Sequence, residues 1–234
     1  LDILKLHSRG KPMAEGIDLA NLAAQTVYFS GASLEALLNE AAIRAAQRGS
    51  EAIERTDIDA AYLATVAGED KPSHAAQKER ATIALHEAGH ALATRLLLPD
   101  QRVTRVSILP SGKGAAGYSL SIPPELSIIG RDRLVRQIQV LLAGRAAELL
   151  IGGPDEITGG ASNDLARAAE IAAAMALDLG MTGEPGVAIR PLKAACGTGD
   201  AMERCKELLG HEFDAVTNLL QSHSELLMKL TEAL

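Results

Sequence analysis

The chain has 234 residues, a formal net charge of −7, 47% hydrophobic residues, only 2% aromatic residues and no tryptophan. That length suits one large domain or two modest ones, and the acidic balance argues against a nucleic-acid-binding surface. A core with so few aromatics must be built from Ala, Leu, Ile and Val, which favours packed helices over an aromatic-filled sandwich. There is no run of about 18 apolar residues and no signal-peptide pattern, so no membrane segment and a soluble chain are expected. Cys196 and Cys205 make no disulfide framework and match no common zinc spacing, so both are expected as reduced thiols.

The chain opens on Leu1 rather than Met, within a helical pattern, as a piece of a longer protein would. Four helical patterns follow: Leu1–Ser8, Ile17–Thr26, Ala32–Arg48 and Asp57–Val66. The third places Leu34, Leu37, Leu38, Ala41 and Ala45 on one face and ends at Gly49, a suitable C′ residue. The fourth opens on Thr56-Asp57-Ile58-Asp59, which fits a capping box with Asp in place of Glu. Residues 1–70 thus read as a small helical bundle, with Gly68–Ser73 as linker and residues 71–234 as a second domain.

The second domain begins with a long helical pattern, Ala75–Leu98. Val103–Leu109 and Tyr118–Ile122 alternate as strands around a Gly-rich loop, Ser111–Gly117. A strong helix from Arg131 to Ile151 is broken by Gly152-Gly153-Pro154. Ser162 or Asn163 can cap the next helix, which runs to about Leu179. Residues 181–199 are irregular, and two helices, about 199–209 and 212–234, finish the chain. The fold class is therefore mainly α, a helical bundle followed by a mostly helical domain with a small β element.

Inside the 75–98 helix lies His86-Glu87-Ala88-Gly89-His90. Positions i and i+4 share a helix face roughly 5–6 Å apart, so both imidazoles can reach one Zn²⁺. Glu87 lies about 100° further round, where it can reach a water on that metal and exchange protons with it. The flanks Ile83, Ala84, Leu85, Ala88, Ala91 and Leu92 make the surroundings semi-buried. Gly89 costs about 1 kcal/mol relative to Ala in a helix, which implies that something approaches the backbone closely. Catalytic zinc takes three protein ligands and one open position. Glu148 and Asp164 are the acidic candidates for the third, and the residue chemistry alone leaves both open. Glu148 can equally pair with Arg145 or Arg167, and Asp164 can equally stabilise a helix N-terminus.

Taken together, Glu79…His86-Glu87-Ala88-Gly89-His90-Ala91, Gly144-Arg145-Ala146-Ala147-Glu148, Thr158-Gly159…Ala161-Ser162-Asn163-Asp164-Leu165 and Gly180-Met181-Thr182 resemble the peptidase domain of the FtsH family of membrane-anchored AAA proteases. Ile3-Leu4…His7 and Phe29-Ser30-Gly31-Ala32…Leu34…Leu37…Asn39-Glu40-Ala41-Ala42 resemble that family's helical AAA lid. The resemblance covers nearly the whole chain, in order. It implies that His86, His90 and Asp164 bind zinc, that Glu87 is the general base, and that Glu148 is a supporting carboxylate. It implies that Gly117, Tyr118, Ser119 and Leu120 belong to an edge strand to which unfolded polypeptide adds. Gly31 and Ala32 resemble lid residues that approach the adenine and ribose of ATP. The resemblance further implies homo-hexamers on the cytoplasmic side of a bacterial inner membrane, or an organellar equivalent, degrading membrane and misfolded proteins with ATP and Mg²⁺.

Walker A and B motifs and an arginine finger are absent, so this chain by itself is not expected to hydrolyse ATP. The family's Pro-Arg-Gly is Pro110-Ser111-Gly112 here, and its lid Gly-Phe-Ser-Gly-Ala-Asp is Tyr28-Phe29-Ser30-Gly31-Ala32-Ser33. The segment after Gly180 also diverges. These departures bear on substrate and nucleotide contacts rather than on the metal chemistry. The leading expectation is a zinc endopeptidase. The alternatives are a catalytically vestigial oligomerisation and scaffold module, and a hydrolase of small amides.

Overall fold

In a computed structural model of the chain, residues 1–68, 75–111, 116–124, 128–182 and 199–234 are described. Most of the expected linker and of the Gly-rich loop, and Cys196, lie outside them. The chain divides into two compact units, residues 1–72 with 110–115, and residues 73–109 with 116–234. The architecture is mainly α, with a small two-stranded sheet in the second unit.

The first unit holds α1 (Asp2–His7), α2 (Leu19–Gln25), α3 (Gly31–Gln47) and α4 (Arg55–Val66). Side-chain caps start α2 and α3, whereas α1 begins after Leu1 with no side-chain cap. Asp18 accepts from the amides of Ala20 and Asn21, and Ser30 accepts from the amide of Ser33. The predicted face of α3 is buried: Leu34, Leu37, Leu38, Ala41 and Ala45 pack with Leu4, Leu22, Ile53, Ile58 and Ala61. Gly49 follows α3 at φ +75°, and the Ser50 amide reaches back to the Ala45 carbonyl, closing the helix as expected.

The start of α4 departs from expectation. Glu54 is its N-cap, and Asp57, expected to be the cap's neighbour, is instead the third helical residue, accepting from the Glu54 amide at 2.8 Å. The reason is Arg48, which reaches over from the end of α3 to Asp57 at 2.9 Å and Glu54 at 3.0 Å. The hydrogen bond from Arg48 outweighs burial and holds the Asp57 carboxyl below its usual range. A lowered folded value adds stability above the ordinary carboxylate pKa, and that stability is lost as pH falls through the folded value. Asp57→Asn is therefore expected to lower amide-exchange protection in α4 roughly two- to five-fold near neutral pH. The gap to wild type should close below about pH 4; an unchanged gap across that range would remove the ionic role.

The second unit holds α5 (Gln77–Leu97), β1 (Arg102–Ser107), β2 (Tyr118–Ile122), α6 (Arg131–Gly152), α7 (Ser162–Leu177), α8 (Gly199–Ser222) and α9 (Ser224–Glu232). β1 and β2 are antiparallel, pairing Ser107 with Tyr118 through Arg102 with Ile122, with an irregularity between Val103 and Arg105. The core lies where α5 and α6 pack together under α7, α8 and α9. It is built from Ala88, Ala93, Ala143, Ala146, Ala147, Ala168 and Ala172 with Leu85, Leu92, Ile138, Leu142, Met175, Val216, Leu220 and Leu227. The Ala-rich, aromatic-poor composition is thus spent on closely packed helices.

Gly89 shows how close. A Cβ there would lie 2.7 Å from the Ala143 carbonyl oxygen and 2.9 Å from the Ala147 Cβ. What approaches this glycine is the α6 backbone. Gly89→Ala is expected to destabilise the second unit, because overpacking of about 1–3 kcal/mol exceeds the ~1 kcal/mol gained in helix propensity. Calorimetry of the variant should show a lower transition temperature, and a rise would contradict this packing.

Two expectations shift near the C-terminus. Ser162 is the first residue of α7 rather than its cap, because a 3₁₀ turn over Gly159–Ala161 leads directly into the helix. α8 continues through Gly210 and ends at Ser222, where His223 separates it from α9. Burial on the α6 side overrides glycine's cost: Glu212, two residues on, is 5% exposed and bound by Gln139. Cys205, a free thiol on α8, packs against the core, and burial pushes its pKa up. Among the described residues no helix is long and apolar enough to cross a membrane.

Candidate metal centre

α5 carries His86 and His90 on one face, with His86 and Glu87 buried and His90 half-buried. The two Nε2 atoms lie 3.0 Å apart and the rings are nearly perpendicular, at 75°. α7 brings Asp164 from its first turn, with Oδ2 at 3.4 Å from each Nε2. The three donor atoms face one point. Glu148, the other acidic candidate, takes a different place: its Oε1 lies 2.6 Å from His86 Nδ1, on the far side of the ring.

Each imidazole is thereby oriented through Nδ1. His90 Nδ1 lies 2.8 Å from the Val140 carbonyl oxygen, which can only accept, so Nδ1 carries a proton and Nε2 is the nitrogen left to ligate a metal. Glu148 fixes His86 in the same sense. It is 2% exposed and also accepts from the Thr158 amide at 2.9 Å. Arg145 lies 3.9 Å from Glu148 and donates to the Thr158 carbonyl, so the expected Arg145 partnership exists alongside the histidine contact.

Gly144 on α6 makes room for the pair. A Cβ there would meet His86 Cε1 and Nε2 at 2.5 Å and His90 Nε2 at 2.6 Å. Gly117, at the start of β2, is buried, and a Cβ would lie 2.7 Å from Ile83 Cγ2 and 3.1 Å from Glu87 Cγ. The strand therefore begins against the acidic side chain of the helix. Tyr118, Ser119 and Leu120 follow, all half-buried. Gly31 and Ala32 sit in the first turn of α3, in the first unit.

Charge explains what the pocket is suited to hold. Glu87, Glu148 and Asp164 are three carboxylates around two imidazoles. Burial opposes protonation of His86, yet the Asp164 and Glu148 carboxylates outweigh it and push His86 up to about 9. Burial acts on Asp164 in the opposite direction, but the two imidazoles hold its carboxyl well below the usual range. Glu148 is likewise lowered, His86 and the Thr158 amide prevailing over burial. Glu87 is raised, chiefly by burial. Three carboxylates that favour positive charge in this way suit the pocket to a cation.

The donor set fits zinc. Tetrahedral coordination at roughly 2.0–2.2 Å spaces ligand atoms about 3.3–3.5 Å apart, against 3.0, 3.4 and 3.4 Å here. Two nitrogens and one oxygen leave the fourth position open. Among the described residues, His86, His90 and Asp164 form the one cluster of three or more such side chains with that convergence. Val140 was invisible to motif reading because it acts through its carbonyl, and Gly144 stood within a motif but without a role because it acts through an absent side chain. Thr158 stood in a quoted motif without a role.

Two histidines one helical turn apart, a carboxylate from a second helix and a buried glutamate beside them make up the arrangement of the helical His-Glu-x-x-His motif with a third donor. Residues 73–234 match the model of peptidase family M41, and residues 16–60 match that of the AAA+ lid domain. The chain belongs to peptidase family M41. It is 40% identical over 235 residues to the ATP-dependent zinc metalloprotease FtsH of Lachnoclostridium phytofermentans, covering 99% of this chain and 41% of that protein. It is 46% identical over 188 residues to FtsH 1 of Alkaliphilus metalliredigens, an ATP-dependent zinc metalloprotease, covering 80% and 32%. The same activity names the FtsH of Thermotoga maritima, 42% identical over 186 residues, with 79% and 30% covered. The chain therefore spans about two fifths or less of the length of these relatives.

Proposed function

We propose that the chain is the peptidase portion, with a lid-like subdomain over residues 1–70 and a peptidase domain over 71–234, of a zinc endopeptidase. His86, His90 and Asp164 hold one Zn²⁺, and Glu87 is the general base. The observation that carries this reading is the meeting of His86 Nε2, His90 Nε2 and Asp164 Oδ2 at 3.0–3.4 Å. Glu148 orients His86, and the Val140 carbonyl orients His90.

When bound, zinc acidifies water and stabilises negative charge on a scissile carbonyl oxygen. The chain's own groups supply the rest. Glu87, raised by burial, accepts the proton of the attacking water and returns it to the leaving amine. The outer edge of β2, from Gly117 through Tyr118, Ser119 and Leu120, aligns an extended polypeptide by backbone hydrogen bonds, which makes few sequence demands. The close approach of Gly117 to Glu87 supports placing that substrate strand beside the base.

In a longer parent with an ATPase core, Gly31 and Ala32 border the nucleotide. Homo-hexamers anchored at a membrane deliver membrane and misfolded proteins to the site, using ATP and Mg²⁺. Of these assignments, the nucleotide border is supported by the lid match and ATP dependence by the names of the relatives, while hexamers, the membrane and the substrates follow from the family resemblance alone. No observation on the described residues favours a vestigial scaffold.

Purified chain is expected to hold about one zinc by elemental analysis. Chelation should abolish cleavage of casein, and added Zn²⁺ should restore it. Casein cleavage that survives complete metal removal would overturn the reading.

A further inference from the structure

We propose that Thr158 is a positioning residue that locks the two halves of the metal site to each other. The inference rests on the zinc reading above and deepens it. His86 and Asp164 come from different helices, α5 and α7, far apart along the chain, so their spacing must be set by something other than either helix. Thr158 joins the two supports. Its amide donates to Glu148 Oε2 at 2.9 Å, and its hydroxyl lies 3.4 Å from both Glu148 oxygens. Glu148 in turn holds His86 Nδ1 at 2.6 Å.

On its other side, Thr158 Oγ1 accepts from the Gly160 amide at 3.1 Å, capping the 3₁₀ turn Gly159–Ala161. That turn runs without a break into α7, whose first turn carries Asp164. The Thr158 carbonyl is held by Arg145, the residue 3.9 Å from Glu148. One residue therefore uses its amide, hydroxyl and carbonyl to tie the carboxylate behind His86 to the turn that launches Asp164. The hydroxyl is the side-chain part of this tie: it closes the turn, and the closed turn aims the Thr158 amide at Glu148. A group that both donates and accepts is required, which Ser supplies and the isosteric Val does not.

The test compares Thr158→Val and Thr158→Ser with wild type and with Thr82→Val, whose hydroxyl bonds only the Lys78 carbonyl within its own helix. Zinc affinity is measured by competition with a chromogenic chelator, and thermal unfolding is followed on the metal-free chains. Visible spectra of the Co²⁺-loaded proteins report ligand geometry. Thr158→Val is expected to bind zinc about 10–100-fold more weakly, as loss of an outer support does. Its Co²⁺ bands should shift while metal-free unfolding matches that of Thr82→Val, and Thr158→Ser should restore both affinity and spectrum. Unchanged affinity in Thr158→Val, a Ser variant as weak as Val, or a zinc loss matched by metal-free destabilisation would each overturn the proposal. Failure of wild type to bind zinc would instead overturn the reading beneath it, so the two failures are told apart.

Discussion

Glu87→Gln is expected to reduce casein cleavage by about 10²–10⁴-fold while the chain keeps about one zinc. Glutamine matches glutamate in size and fits the same buried position, so the helix and both histidines are undisturbed. Its amide cannot take a proton from water, and no other carboxylate near the site is free to replace it. Glu148 is bound to His86 and Thr158, and Asp164 faces both imidazoles. A base that moves a proton in the transition state contributes little to substrate binding, so its loss should be felt mainly in kcat. Elemental analysis and steady-state kinetics on the same preparation check both halves. Cleavage at the wild-type rate would remove Glu87 from the mechanism.

The two carboxylates that the sequence left as rivals should behave differently. Asp164→Asn is expected to weaken zinc binding by more than about 100-fold, whereas Glu148→Gln should cost about 10–100-fold, the range for outer supports. The geometric reason is which histidine nitrogen each one faces. Asp164 lies on the Nε2 side at 3.4 Å from both rings, and Glu148 lies on the Nδ1 side of His86 at 2.6 Å. Chelator competition gives the ranking. A Glu148 variant weaker than the Asp164 variant would exchange their roles.

Much of the architecture was readable because it is local. The i, i+4 spacing of His86 and His90 is a property of any helix, and the buried face of α3 follows from leucines three and four residues apart. Helix ends were less legible. At α4, Arg48 draws Asp57 and Glu54 into a start that propensity alone did not favour. Gly210 looked like a break, but helix packing around Glu212 carries α8 through it. In both cases a partner on another helix outweighed a local preference.

The site divides along the same line. Residue types and spacing sufficed to find the histidine pair and the glutamate beside it, because metal ligation by one helix turn needs no other element. They could not choose between Glu148 and Asp164, since that choice depends on which ring nitrogen each approaches after α5, α6 and α7 have packed. Only the tertiary structure shows that Gly144 clears space for both imidazoles, that the Val140 carbonyl sets one tautomer, and that Gly89 faces a neighbouring helix. Those roles belong to backbone atoms and missing side chains, which acquire a function only when another element comes within a few ångströms.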